Sequence, residues 1–314
     1  MVNILVTGGA GFIGSHLCDS LIASDHKVVA VDNLSLGRES NLQQLAGNPA
    51  FEFAIGDVLD TDWLESLLAR GQFDVVFHMA ANSDIARSHG DPSVDLNNTF
   101  TTTFAVLEAM RKHRIGQLVF ASTSAIYGEV AGPVREGFGP LKPISHYGAA
   151  KLASEAFISS YAANYEIQSW VTRFPNVVGP RATHGAVYDF VHKLRRSPNR
   201  LEVLGDGTQE KPYLSVFDLI AAILLVWRTT TDPVNVYNVG ASTRSKVSDI
   251  ARIVVEEGPT PAEIAYTGGD RGWIGDVPKF EYDISAIKSL GWSPTITSDD
   301  AIRLAARAIW AESE

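Results

Sequence analysis

The sequence predicts an α/β fold, a doubly wound parallel sheet with a smaller C-terminal α+β lobe. Three observations predict it. An apolar run at 3–7 leads into Gly8, Gly11 and Gly14, and then into a helical pattern at Ile13, Leu17 and Leu21. Strand-like and helix-like segments alternate as far as Phe174, as repeated βαβ units do. After Phe174 the pattern breaks into shorter elements punctuated by Pro175, Gly179, Pro180, Gly205 and Gly207.

The first strand–turn–helix has the form of a dinucleotide site. Gly8 permits the tight turn, Gly11 lets backbone approach a pyrophosphate, and Gly14 lets helix and strand pack closely. The helix start offers free N–H groups and a positive dipole end. An ordinary turn with spare glycines is the plainer alternative. The second strand, 27–32, ends in Asp32, 18 residues after Gly14. An acid there accepts hydrogen bonds from ribose hydroxyls and repels a 2′-phosphate, which favours NAD over NADP. Asp32-Asn33 also suits a turn cap.

Further strands are expected at 51–55, 74–79, 117–121 and 169–174, and helices at 61–69, 94–113 and 147–165. Ligands of such sheets sit beyond the carboxyl ends of the strands. Asp57, Ala80-Ala81-Asn82 and Ser122-Thr123-Ser124 occupy those ends; Asp57 suits adenine binding and turn capping equally. In the second half a helix is expected at 218–227 and a core strand at 234–239, which returns the chain to the sheet. Helices follow at 246–256, 287–290 and 299–312. The organisation expected is a nucleotide-binding domain at 1–174, rejoined at about 215–240, and a substrate lobe at 175–314.

Composition narrows the function class. Lys plus Arg number 26 against 36 Asp plus Glu, a net charge of −10 without a basic run, which argues against nucleic acid. The single cysteine, Cys18, precludes an internal disulfide and fits a reducing compartment such as the cytoplasm. With a strand at the start no signal peptide is expected, and no apolar run has transmembrane length. The histidines show no metal-ligand spacing, so no metal is expected. His78 reads as a packed residue.

Tyr147 and Lys151 stand four apart in HYGAAK and share one helix face. A free tyrosine, with a pKa of about 10, is a poor base at neutral pH. A nearby lysine ammonium and a positive nicotinamide would favour the phenolate. Thr123, closing a strand in FASTSAIYG, offers a hydroxyl to steady a substrate oxygen. Tyr and Lys at this spacing also occur by chance in many helices.

Taken in order, TGGAGFIG, Asp32, HMAAN, STSAIYG, YGAAK, RFPNVVGPR and GDGTQEKPY resemble the extended short-chain dehydrogenase/reductase family. The likeness runs from residue 3 to about 292 and is nearest to the branch of nucleotide-sugar epimerases and dehydratases. It implies a Rossmann domain holding NAD through Gly8, Gly11, Phe12, Ile13, Asp32, Asn33, Asp57, Val58, Ala80 and Ala81. It implies Tyr147 as general base, with Lys151 as its partner and as a ligand of the nicotinamide ribose, and Thr123 at the family's Ser/Thr position. Asn176 resembles the asparagine at the sugar-nucleotide phosphates. Lys211 stands where an arginine is common, keeping the charge without the planar fork. Arg271 and Asp276 resemble late residues near the nucleotide. Phe280, four after Asp276, would wall the sugar pocket against N-acetyl groups, or else start a strand pointing into the core. Thr99 replaces the family's cofactor-binding asparagine, with Asn98 beside it.

The related dehydratases place acids after the threonine, whereas this chain has Ser124-Ala125. The resemblance therefore implies C4 epimerisation of a UDP-glucose/UDP-galactose-type substrate through a 4-keto sugar. A 4,6-dehydratase using an acid from elsewhere, such as Asp84, is the alternative; a non-catalytic NAD-binding protein is a more distant one. The family's dimers pair two helices per subunit, which here carry Phe104, Leu107, Met110, Leu152, Ala156 and Ile158, so a homodimer is expected.

Overall fold

The structure, a computed structural model, describes residues 1–83, 85–130, 132–269 and 281–312, without the side chains of 85–87. Seven strands form the main sheet: β1 (Asn3–Thr7), β2 (Lys27–Asp32), β3 (Phe51–Ile55), β4 (Val75–His78), β5 (Gln117–Thr123), β6 (Gln168–Phe174) and β7 (Val234–Asn238). Their order is β7-β6-β5-β4-β1-β2-β3. β1 pairs with β2 and β4, β2 with β3, and β4 with β5, all parallel. The strand order reverses on either side of β1, and the loops after β1 and β4 meet at this switch point, where such sheets bind ligands.

Buried parallel strands need apolar side chains on both faces, and β4 (VVFH) is buried at every position. On one face Leu5, Val76, Leu118 and Phe120 pack with Leu64, Leu67 and Leu68 of helix Thr61–Gly71. Val106, Leu107 and Met110 of helix Thr102–His113 complete that layer.

The chain divides into two compact units. One comprises Met1–Gly128, Gly139–Arg173 and Ile220–Tyr237, and the last segment supplies β7. The other comprises Glu129–Phe138, Phe174–Leu219 and Asn238–Glu314. The excursion at 129–138 interrupts the expected 1–174 segment. Pro133–Val134 pairs with Glu281–Tyr282, Asn238 Nδ2 donates to Val134 O at 2.9 Å, and Arg135 meets Asp283 at 2.8 Å. In the second unit Asn176–Val178 pairs with Tyr213–Ser215, and Glu210–Lys211 with Ser245–Lys246.

Two local features depart from expectation. The helix expected over 94–113 is present but widens into a π-type segment, Leu96–Thr101, before it continues as helix Thr102–His113. The Thr101 and Thr102 hydroxyls donate to the carbonyls of Leu96 and Asn97, five residues back, which suits a π-type turn. Helix Ala186–Arg196 is an addition, seated by buried Val187, Phe190, Val191 and Leu194. Among the described residues no helix is long and apolar enough to cross a membrane.

Candidate active site

The loop after β1 is shaped by close approach. Gly8 has φ +69°, and a Cβ on it would lie 2.7 Å from the Ala80 nitrogen, so the loops after β1 and β4 touch backbone to backbone. A Cβ on Gly14 would lie 2.1 Å from the Gly8 carbonyl oxygen. Gly11 is different: its Cβ would meet only that same oxygen, at 3.1 Å, leaving its outer side open. Gly11 is also the N-cap of helix Phe12–Ile22 and supplies no side-chain cap, so the first-turn N–H groups at Phe12 and Ile13 point out of the helix end. That is the cradle a pyrophosphate requires.

Asp32, 8% exposed, ends β2 beside this loop. Its carboxylate accepts from Ala10 N at 3.1 Å and Leu34 N at 2.8 Å. Burial raises its pKa, and those backbone N–H groups work against the rise. Asn33 Nδ2 donates to Asp57 Oδ2 at 3.0 Å, while Asp57 Oδ1 caps Leu59 N at 2.9 Å, so Asp57 both joins the cluster and caps a turn. Ala80 and Ala81 are partly exposed beyond β4. Val58, by contrast, is buried in the core cluster. The residues that the sequence singles out for NAD are thus gathered at the ends of β1 to β4, and they fit that cofactor.

A second cluster lies at the end of β5. Ser145 caps helix His146–Tyr165 by accepting from Gly148 N at 3.1 Å, which fixes the turn carrying Tyr147. A Cβ on Gly148 would lie 2.5 Å from the Ala125 carbonyl oxygen, so only glycine lets the helix sit this close to the turn after Thr123. Thr123 Oγ1 accepts from Ala125 N at 3.2 Å, and its side chain is close enough to the Tyr147 hydroxyl to lower its pKa. Lys151, 2% exposed, donates to Ala121 O at 2.6 Å and lies 4.5 Å over the Phe120 ring and 5.9 Å from the Tyr147 ring centre. Thr123, Tyr147 and Lys151 therefore share one site.

Burial pushes the Tyr147 pKa up, the Asp95 carboxylate adds to this, and the Thr123 side chain opposes it. Burial lowers Lys151 to about 7 against the pull of Glu155 and Asp95. Lys151 alone does not turn Tyr147 into a phenolate, because its ammonium is itself desolvated and directed at the Ala121 carbonyl. His78 is a packed residue: buried and held by Thr7 and Thr103, it falls to about 3, burial being the larger cause and Lys151 the lesser.

Two groups here escape a reading of the sequence. Glu155, one turn beyond Lys151, binds Arg173 through contacts of 2.6–3.2 Å and accepts from the Ser122 hydroxyl, while Arg173 Nη1 donates to the Tyr127 hydroxyl at 2.9 Å. Its spacing from Lys151 was a usable signal. Asp95, fully buried, accepts from Asn82 Nδ2 at 2.9 Å and Thr99 Oγ1 at 3.4 Å; nothing in the sequence marks it. Thr99 points inward and Asn98 is exposed, so Asn98 does not take the inner position.

Asn176 (exposed) and Lys211 (half-buried) lie on short strands of the second unit. Asp84, Arg271, Asp276 and Phe280 lie outside the described residues. Among the described residues no group of three or more His, Cys, Asp or Glu is placed to hold a metal ion.

Comparison with known proteins agrees with this geometry. A putative UDP-glucose 4-epimerase of Methanocaldococcus jannaschii is 33% identical over 308 residues, 96% of each chain. A crystal structure of a UDP-galactose 4-epimerase superposes with a TM-score of 0.86 at 40% identity over 98% of both chains. A UDP-glucuronic acid 4-epimerase from Bacillus cereus, solved with UDP-glucuronic acid and NAD, gives 0.87 at 31% over 98% of both. dTDP-glucose 4,6-dehydratases are similar as well, so likeness alone does not choose the reaction. The family model of the NAD dependent epimerase/dehydratase family matches residues 4–240, well over half of the chain, and the protein belongs to that family.

Proposed function

We propose that the protein is an NAD-dependent nucleotide-sugar C4 epimerase of the UDP-glucose/UDP-galactose type. The observation that carries this is the Thr123–Tyr147–Lys151 site with Ala125 beside it: a proton-transfer group for one hydroxyl, and a methyl where a dehydratase needs an acid. NAD, when bound, supplies a reversible hydride acceptor. The chain's own work is on the proton. The Tyr147 oxygen takes it from the sugar 4-hydroxyl as C4 is oxidised and returns it after the 4-keto sugar has turned over. Thr123 Oγ1 holds the sugar oxygen in line, and Lys151 contributes positive charge and free N–H donors. Asn176 and Lys211 are proposed as contacts of the diphosphate, with Arg271, Asp276 and Phe280 at the nucleotide and sugar.

The test is a panel of nucleotide sugars with products identified by NMR. Interconversion of UDP-glucose and UDP-galactose supports the reading, and a dehydrated product contradicts it. Phe280 further favours these hexoses over their N-acetyl relatives.

Asp32 sets the cofactor preference. Placing a 2′-phosphate against a carboxylate this buried should cost on the order of 2–3 kcal/mol, roughly 30- to 150-fold in affinity. Calorimetry on the stripped protein is expected to show that margin for NAD over NADP; equal affinities would contradict it.

A homodimer in the cytoplasm is proposed as the working form. Phe104 and Phe157, each 39% exposed, meet edge to face at 5.8 Å, and Phe100 joins Phe157 at 5.1 Å, an aromatic face suited to pairing with a second copy.

A further inference from the structure

Four charged side chains, two of each sign, are buried at Lys151 and in the ion pair beside it. Asp95 is 0% exposed, Lys151 2% and Arg173 6%, and the Glu155 side chain 9%. Buried charges persist only where they are matched. Glu155 is already engaged by Arg173 and by the Ser122 hydroxyl. That leaves Asp95, whose segment Ser93–Asp95 packs against the helix that carries Lys151. Its Oδ1 accepts from Asn82 and Thr99, while its Oδ2 has no hydrogen-bond partner among the described residues. An asparagine would accept the same two bonds without a bare buried anionic oxygen. What distinguishes aspartate at this position is therefore its charge. The wide turn Leu96–Thr101 that follows Asp95 packs against helix His146–Tyr165, which carries both Tyr147 and Lys151.

We infer that Asp95 is the buried counter-charge of the proton-transfer pair, a positioning residue that hydrogen-bonds to neither Tyr147 nor Lys151 and acts on both through its negative charge. It favours the Lys151 ammonium against desolvation. It also keeps Tyr147 a phenol until further positive charge enters the site. The other titratable groups around Lys151 are Glu155, matched to Arg173, and His78, neutral in its burial. The role rests on the proposed use of Tyr147 and Lys151 in proton transfer. Its tests need neither substrate nor cofactor, so they succeed or fail apart from that proposal.

Asp95→Asn keeps the accepting oxygen and removes the charge. NMR of protein labelled at lysine Cε, with the Lys151 signal identified by its loss in Lys151→Met, reads the ammonium directly. Lys151, near 7 in the native protein, is expected to titrate lower by roughly half a unit or more in Asp95→Asn. Thr99→Val, which removes a hydrogen bond to Asp95 but not its charge, should not lower it. A Lys151 titration that Asp95→Asn leaves in place overturns the inference. Stability at pH 6 gives a second readout. Lys151→Met and Asp95→Asn should each destabilise, and the double variant should be more stable than their sum predicts. If Asp95→Asn alone does not fold, recovery of folding in the double variant supports the inference, and its absence overturns it.

Discussion

Tyr147→Phe is expected to lower turnover at least ~100-fold while leaving nucleotide-sugar binding nearly unchanged. The phenyl ring keeps its place because the Ser145 cap and the close contact at Gly148 set the first helical turn without the hydroxyl. What disappears is the phenol oxygen beside Thr123, the group proposed to take and return the proton. Because Tyr147 is held above its ordinary pKa and must be deprotonated to act as base, wild-type kcat/KM should rise with pH. The residual activity of the variant should lose that rise. Steady-state kinetics across pH, with calorimetric binding of UDP-glucose, checks both parts. Near-wild-type turnover would remove Tyr147 from the chemistry.

Glu155→Leu is expected to cost about 3–5 kcal/mol of stability, the usual result of breaking one side of a buried ion pair. Arg173 is buried, and Glu155 is its carboxylate partner at 2.6 Å. Leucine fills most of the space but leaves a guanidinium without compensation and orphans the Ser122 hydroxyl. Adding Arg173→Met should recover much of the loss, since a buried pair replaced whole by apolar groups is often neutral. Denaturant unfolding of the single and double variants reads this; a loss below ~1 kcal/mol for Glu155→Leu would show that water reaches the pair.

The strands were legible in the sequence because buried parallel strands are written as short apolar runs, and β1, β2 and β3 have the expected bounds. The π-type widening within 94–113 was not, because it depends on where threonine hydroxyls turn inside an otherwise helical stretch. Helix Ala186–Arg196 did carry its signal, Val187, Phe190, Val191 and Leu194 at helical spacing, but within a region dominated by proline and glycine. At the site, residue types and spacing brought forward Thr123, Tyr147 and Lys151. The sense of the Tyr147 shift was illegible, because it comes from desolvation and from Asp95, a residue 52 positions away in the chain. Burial is a property of the fold, and a single acid between Val94 and Leu96 does not announce it.

In an epimerase one hydroxyl is oxidised and re-reduced with no elimination, and proton NMR of the enzyme with UDP-galactose in deuterated water follows this at each carbon. UDP-glucose is the expected product, with the same final ratio when starting from UDP-glucose and no deuterium at C5. A 4-keto-6-deoxy sugar, or deuterium at C5, would show instead that the site eliminates water and that Ala125 does not mark an epimerase.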